Sequence, residues 1–193
     1  DLEALARCDR QSRCPQHDFS RRAPSLERAV RFGGPLQRQD RVDENLETAA
    51  CCERATGWIY TATFYTAQDV SGQFCPWCIA DGSAAERFKG DFTDSYGLDG
   101  VSAETLEQVT RRTPGFHAWQ DPHWLVHCND VAAFIGEVGY TELAAHPEAL
   151  DQLRTDLRIG GWHDAARLES FLTHLGQGAS AMLFRCTVCG THL

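Results

Sequence analysis

The sequence predicts an α+β fold, and three observations carry that expectation. Residues 57–65 alternate, with Trp58, Tyr60, Ala62 and Phe64 on one face and Ile59, Thr61, Thr63 and Tyr65 on the other, the period-2 pattern of a strand. The second half of the chain carries apolar stripes at helical spacing. Cysteines recur in C-x-x-C pairs, Cys75 with Cys78 and Cys186 with Cys189, the second followed by the glycine that a tight turn favours.

A chain of 193 residues can bury a core without help, so any metal or disulfide acts as a local fastener. Nine cysteines, an odd number concentrated in close pairs, argue for reduced thiols and against the disulfide framework of a small secreted protein. No run of about 18 apolar residues is present, and residues 1–20 have no hydrophobic signal region. The expectation is a cytoplasmic protein with no membrane span. Charge divides the chain: residues 1–45 hold nine arginines and eight acids, whereas residues 46–193 hold nine basic residues and 19 acids. We read 1–45 as an irregular Arg-rich leader and 46–193 as the main domain. Its acidity argues against duplex nucleic acid, whose phosphates need clustered Lys and Arg, and suits a basic protein partner.

The leader contains at most one short helix, near "PSLERAVRF", before the breaker "GGP" at 33–35. Cys8, Cys14 and His17 are too loosely spaced for a zinc knuckle and read as plain thiols and an imidazole. After Cys51 and Cys52 comes the alternating strand, then a turn near "SGQ" and a return strand, a ribbon that brings Cys52 back beside Cys75 and Cys78. A short helix is expected from Ser83, then a loop through "GDFTDSYGLDG". Ser102 caps the next helix, with Val101 and Leu106 as its hydrophobic staple and Thr113 as its end before Pro114.

The segment "TPGFHAWQDPHWLVHCND" concentrates aromatic and histidine residues. His123 and His127 have the i, i+4 spacing of a helical zinc pair, but Leu125 and Val126 stand where a metalloprotease needs its glutamate, which excludes that reading. The segment reads as aromatic core with satisfied histidines, against a binding cleft or a metal contact through His127 or Cys128. Further on, Asp130 is expected to cap a helix carrying Val131, Phe134, Ile135 and Val138. Pro147 opens another with Leu150, Leu153 and Leu157, and Asp164 a third with Leu168, Phe171, Leu172 and Leu175, stopped by Gly176. The chain closes on a short strand, "AMLFR", and the C-x-x-C-G knuckle.

The cysteine pairs allow two chemistries. A redox dithiol places its first cysteine at a helix N-terminus after a strand, and "FCPWCIADGSAA" fits that description. It explains neither the second C-x-x-C nor the adjacent Cys51 and Cys52. Thiolates around zinc explain at least two of the three groups. The candidate zinc ligands are Cys51, Cys52, Cys75, Cys78, Cys128, Cys186, Cys189 and His192. In one arrangement Cys51 or Cys52 joins Cys75 and Cys78 while Cys186 and Cys189 recruit Cys128 or His192; in the other the two C-x-x-C pairs share one ion. The expected architecture is therefore a zinc-ribbon-like β unit, a helical body, and a C-terminal strand and zinc knuckle.

Five stretches, "CCERATGWIYTATFY", "CPWCIADGSAAERF", "RRTPGFHAWQDPHWLVHC", "IGEVGYTEL" and "LFRCTVCGTH", together resemble the CbrC family over about Phe32 to His192. The family's first knuckle begins C-x-C-C or C-x-x-C, and Ala49 stands here at the outer cysteine position. The resemblance implies tolerance or immunity toward a bacteriocin such as a colicin, without a mechanism.

The functional expectation is a non-catalytic, zinc-stabilised binding protein that meets a basic protein or toxin domain, with Phe116, Trp119 and Trp124 as candidate partner-binding anchors. The competing class is an enzyme: a thiol-disulfide oxidoreductase using Cys75 and Cys78, or a hydrolase using His123, His127 and Cys128. For the latter the sequence shows no base, orienting group and oxyanion donor together.

Overall fold

The computed structural model describes residues 36–38, 49–53, 58–70, 72–118 and 122–193. Among the described residues, helices and three two-stranded antiparallel sheets give an α+β protein, as the sequence predicts. Strand β1 (Leu36–Arg38) pairs with β2 (Trp58–Tyr60), Leu36 opposite Tyr60. The reading of 1–45 as irregular contained no strand; the remainder of that stretch lies outside the described residues.

The alternating stretch is a strand only at Trp58–Tyr60, and the chain beyond it is held by single bridges, Tyr60 to Phe74 and Tyr65 to Asp91. The second bridge pairs Tyr65 with the segment at Asp91 instead of with the residues around Phe74. It depends on Gly90, where a Cβ would stand 2.4 Å from the Tyr65 carbonyl oxygen. The expected return strand is not formed; the chain returns only through the single bridge at Phe74. Helix α1 (Pro76–Ala80) follows at once, with proline fixing φ in its first turn and Cys75 as N-cap, and α2 (Ser83–Phe88) follows after Gly82 at φ +81°. Ile79, Ala84 and Ala85 pack against Tyr60, Phe74 and Phe92. The rings meet edge to face, Phe64 on Phe74 at 4.7 Å and Tyr60 on Phe92 at 5.3 Å.

Helix α3 (Ala103–Arg112) begins as predicted, Ser102 Oγ accepting the Thr105 N–H at 3.1 Å, and ends at Thr113. Gly115 then passes so close to the preceding segment that a Cβ there would lie 2.5 Å from the Phe92 carbonyl oxygen. This approach joins the first core to a second, aromatic one. Phe116 stacks on Phe134 at 4.4 Å and meets Trp124 edge to face at 5.3 Å, while Trp124 Nε1 donates to Thr93 Oγ1 at 3.1 Å. Phe116 and Trp124 are each 3% exposed, which corrects their assignment as partner-binding anchors. Trp119 lies outside the described residues.

The helix expected from Asp130 is not formed. Strands β3 (Val126–His127) and β4 (Asp130–Val131) make a tight hairpin, and β5 (Ala133–Val138) pairs with β6 (Ala181–Arg185) from Ala133 opposite Arg185 to Val138 opposite Ala181. The spacing of Val131, Phe134, Ile135 and Val138 matched a helix face by coincidence. Gly136, at the ladder irregularity, and three β-branched residues disfavour a helix, and β6 satisfies the backbone instead. Ile135 is 54% exposed, whereas the helix reading buries it.

Strand β6 separates two cores. Phe184 points into the aromatic cluster and Leu183, its neighbour, into a helical one, the alternation that a pleated strand imposes. The helical layer comprises α4 (Tyr140–Leu143), α5 (Pro147–Ile159) and α6 (Ala165–Thr173). Leu150, Leu168, Leu172 and Leu175 are buried there as the periodicity predicts, and Arg154 of α5 clamps Glu169 of α6 with two hydrogen bonds at 2.9 and 3.1 Å.

Two substitutions separate this fold from the sequence reading. Phe116→Ala removes a core ring and is expected to cost about 3–5 kcal/mol of unfolding free energy. Ile135→Thr is expected to stay within about 0.5 kcal/mol, as for an exposed β-branched strand position. Urea titrations of both variants provide the measurement.

Candidate metal centres

Cys75 follows the bridged residue Phe74 and caps α1, and its Sγ accepts the Cys78 N–H at 3.5 Å. The turn through 49–52 is tied to this segment by the Ala50 N–H, which donates to the Gln73 carbonyl at 2.8 Å. Cys52 is thereby set with its Sγ 3.8 Å from Cys75 Sγ, and the ligand atoms of Cys52, Cys75 and Cys78 lie within 4.8 Å of one another. Cys51 stands at the edge of this group, hydrogen-bonded with Cys78 and 3.6 Å from Ser83 Oγ, with Arg87 donating to its carbonyl oxygen. Ala49 is buried and offers no donor, and Cys51 lies beside the group but outside its 4.8 Å spacing.

Four thiols cannot all ionise side by side. The hydrogen bond with Cys78 lowers the Cys51 thiol to about 7, while its bond with Cys52 pushes Cys75 up to about 12. Cys78 is also raised, first by its bond with Cys51. The hydrogen bonds within the group therefore favour charge on Cys51 over Cys75 and Cys78.

The second cluster forms where the β3–β4 hairpin meets the chain after β6. Cys128 and Asn129 make the two-residue turn, both with left-handed backbone at φ +53° and +58°, the conformation a type I′ turn requires. His127, Cys128, Cys186 and Cys189 hold their ligand atoms within 4.8 Å of one another. His127 Nδ1 is 3.2 Å from Cys128 Sγ and 3.4 Å from Cys189 Sγ. The N–H groups of Val188 and Cys189 both donate to Cys186 Sγ at 3.4 Å, and Gly190 at φ +80° carries the turn back. Thr187 Oγ1 donates to Asp130 Oδ2 at 2.5 Å and pins the loop to the hairpin. The Cys189 amide lowers the Cys186 thiol, and Thr191 lowers that of Cys189; Cys128 is raised to about 11, chiefly by its bond with Cys189.

The structure thus brings Cys52, Cys75 and Cys78 into one group with Cys51 beside it, and Cys128, Cys186 and Cys189 into another. Sharing of one ion by the two C-x-x-C pairs is not the arrangement seen. His192 does not join Cys186 and Cys189; it lies with His146 and Glu148. The position among the thiols belongs to His127. Its signal in the sequence was adjacency to Cys128, but register alone did not say which of the two would reach the knuckle. Among the described residues no cysteine is in a disulfide, and no helix is long and apolar enough to cross a membrane.

Fold and site together define an α+β protein with two thiol-rich clusters spaced to hold metal ions. The chain belongs to UPF0167, described as an uncharacterised protein family, whose model matches residues 33–193. Over 146 residues, 74% of this chain and 78% of the relative, it is 45% identical to a UPF0167 protein of Mycobacterium bovis. The same figures hold for one of Mycobacterium tuberculosis. A UPF0167 protein of Pseudomonas aeruginosa is 43% identical over 105 residues, 53% of this chain and 59% of that protein. No solved structure matches. These matches correct the CbrC resemblance: the family and these relatives carry the UPF0167 name, and none of the names mentions a colicin or immunity.

If His127 is the fourth member of the C-terminal group, His127→Ala is expected to weaken metal retention there by at least about tenfold, and His192→Ala to leave it unchanged. Competition of each purified variant against a chromophoric chelator measures the difference.

Proposed function

We propose that the chain is a non-catalytic binding protein fastened by two structural zinc ions. The observation that carries this reading is the set of His127, Cys128, Cys186 and Cys189, four donors of zinc-binding type within 4.8 Å of one another. Such a set leaves no coordination position for a reacting water, the arrangement of a structural site. Cys52, Cys75 and Cys78 with Cys51 would form the other, giving the zinc-ribbon-like unit at the start of the domain. Two groups of adjacent thiols with amide donors at their sulfurs match thiolate ligation, since N–H donors stabilise sulfur in its charged form.

The body carries 19 acids against nine basic residues over 46–193, so a basic protein is the partner class its charge favours. Steering of that kind weakens as salt shortens the screening length to about 8 Å at physiological ionic strength. With Phe116 and Trp124 in the core, specificity would have to come from the surface charge and exposed loops.

One observation favours a second reading. Cys75 caps a helix that follows a bridged strand residue, the position of the nucleophile in thiol-disulfide oxidoreductases. Burial counts against it. Cys75 and Cys78 are each 2% exposed, and the Cys75 thiol is raised where a nucleophile needs it lowered.

Elemental analysis of the untagged protein is expected to give about two zinc per chain, falling to about one in Cys186→Ser, with the described cysteines unreactive toward a thiol reagent until a chelator and heat release the metal. Less than about half an equivalent of zinc together with freely reactive thiols would sink the reading. For Cys75, the expected outcome of Cys75→Ser is loss of thermal stability with no insulin-reducing activity in either form. Turnover by the unmodified protein, combined with a fully stable Ser variant, favours the oxidoreductase.

A further inference from the structure

His146, Glu148 and His192 sit apart from both thiol clusters. His146 is the residue before Pro147, at the N-cap of α5, and Glu148 is in the first turn of that helix. His192 arrives from the other end of the chain. After the knuckle the tail folds back along β6, with Phe184 and Leu193 exchanging two backbone hydrogen bonds, each 3.0 Å, and Arg185 bridged to His192. The two imidazoles lie face to face, centroids 3.8 Å apart and planes tilted by 32°, and His192 Nδ1 is 3.6 Å from Glu148 Oε1.

We propose that these three residues form a third metal site, an open one, which binds a divalent first-row transition ion. Their ligand atoms lie within 4.8 Å of one another. Bonds of about 2.0–2.2 Å to nitrogen and oxygen bring such atoms to roughly 3 Å apart, so binding requires the side chains to turn inward and the imidazoles, whose lone pairs lie in their ring planes, to unstack. A simple ion pair between His192 and Glu148 accounts for one imidazole and gives the stacked His146 no part. Two neutral imidazoles with one carboxylate are a donor set suited to zinc, cobalt, nickel or iron(II). The helix dipole at this end of α5 opposes a cation, but its partial charge is smaller than the full carboxylate charge of Glu148.

The donor number separates this site from the other two. Three protein ligands leave at least one position for water or an anionic group, so the ion exchanges with solution and is accessible to a ligand. Its location also has a consequence for order in the chain. An ion here ties the C-terminal tail, which begins one residue after the knuckle glycine, to the first turn of α5. The site therefore requires a folded knuckle, whereas the knuckle does not require the site.

The test uses the full chain carrying its resident zinc, with the reactive-thiol count establishing independently whether the thiol clusters are filled. Cobalt(II) is then titrated. The expected result is one further equivalent, seen as weak metal-centred absorption without the sulfur-to-metal charge-transfer bands that thiolate ligation produces. His146→Gln, His192→Gln and Glu148→Gln should each weaken that equivalent by at least about tenfold without changing the thiol count. Glu148 is largely exposed at its side chain, 47%, so Glu148→Gln tests ligation without endangering the fold. Absence of the additional equivalent in the unmodified protein, or an undiminished one in all three variants, overturns the proposal. Empty thiol clusters alongside an additional equivalent that the variants abolish would count against the structural zinc reading and leave the open site standing.

Discussion

Sulfur charge is the constraint on which much of this structure turns. Thiols held within bonding reach of one another in a buried setting cannot share several negative charges, yet the fold spends its tightest local geometry on bringing them together. The first cluster draws on a helix cap, a bridged strand and a turn, all within the segment from Ala49 to Phe88. The bond from Cys78 lowers the Cys51 thiol, while those of Cys75 and Cys78 are raised. A cation changes that balance for the whole group at once, because every additional thiolate then gains an attractive partner in place of a repulsive one.

The C-terminal cluster answers the same constraint with different means. It is more open to solvent, and its sulfurs are supported by backbone amides of the knuckle and by Thr191. Two left-handed residues at Cys128 and Asn129 form the turn that faces the knuckle. Such backbone is costly away from glycine and asparagine, so a cysteine there is held by its surroundings. The hairpin and the knuckle are separated by more than fifty residues and are joined through β5 and β6, which makes the central ribbon the element that registers one half of the site against the other.

That ribbon also explains why the cores are separate yet connected. Adjacent residues Leu183 and Phe184 serve opposite faces, one the leucine-rich helical layer and the other the aromatic cluster around Trp124. Phe184 and Cys186 share a face, so the aromatic packing that orients β6 also aims the first knuckle sulfur toward His127, whose carbonyl lies 3.8 Å from Cys186 Sγ. Gly115 extends the connection to the first core by letting two backbones approach where a side chain would clash.

Local features were legible from the sequence wherever one short segment decides them. Ser102 and Asp164 as caps, Pro147 as a helix start, the leucine stripes and the C-x-x-C-G turn each depend on neighbours within a few residues. The α+β class and the supply of thiol ligands followed from these. Pairing between distant segments was not legible. The stretch Val131–Val138 satisfied a helical pattern in isolation and became a strand because β6 offered a partner and Gly136 a place to bend. The same long-range pairing decided that Phe116 and Trp124 are core, that His127 and not His192 meets Cys186 and Cys189, and that His192 reaches the head of α5. By itself the sequence determined which donors the chain carries and the local turns that hold them in pairs; which donors meet was decided by strand register and core packing, because contacts between residues far apart in the chain depend on elements whose mutual placement no local pattern encodes.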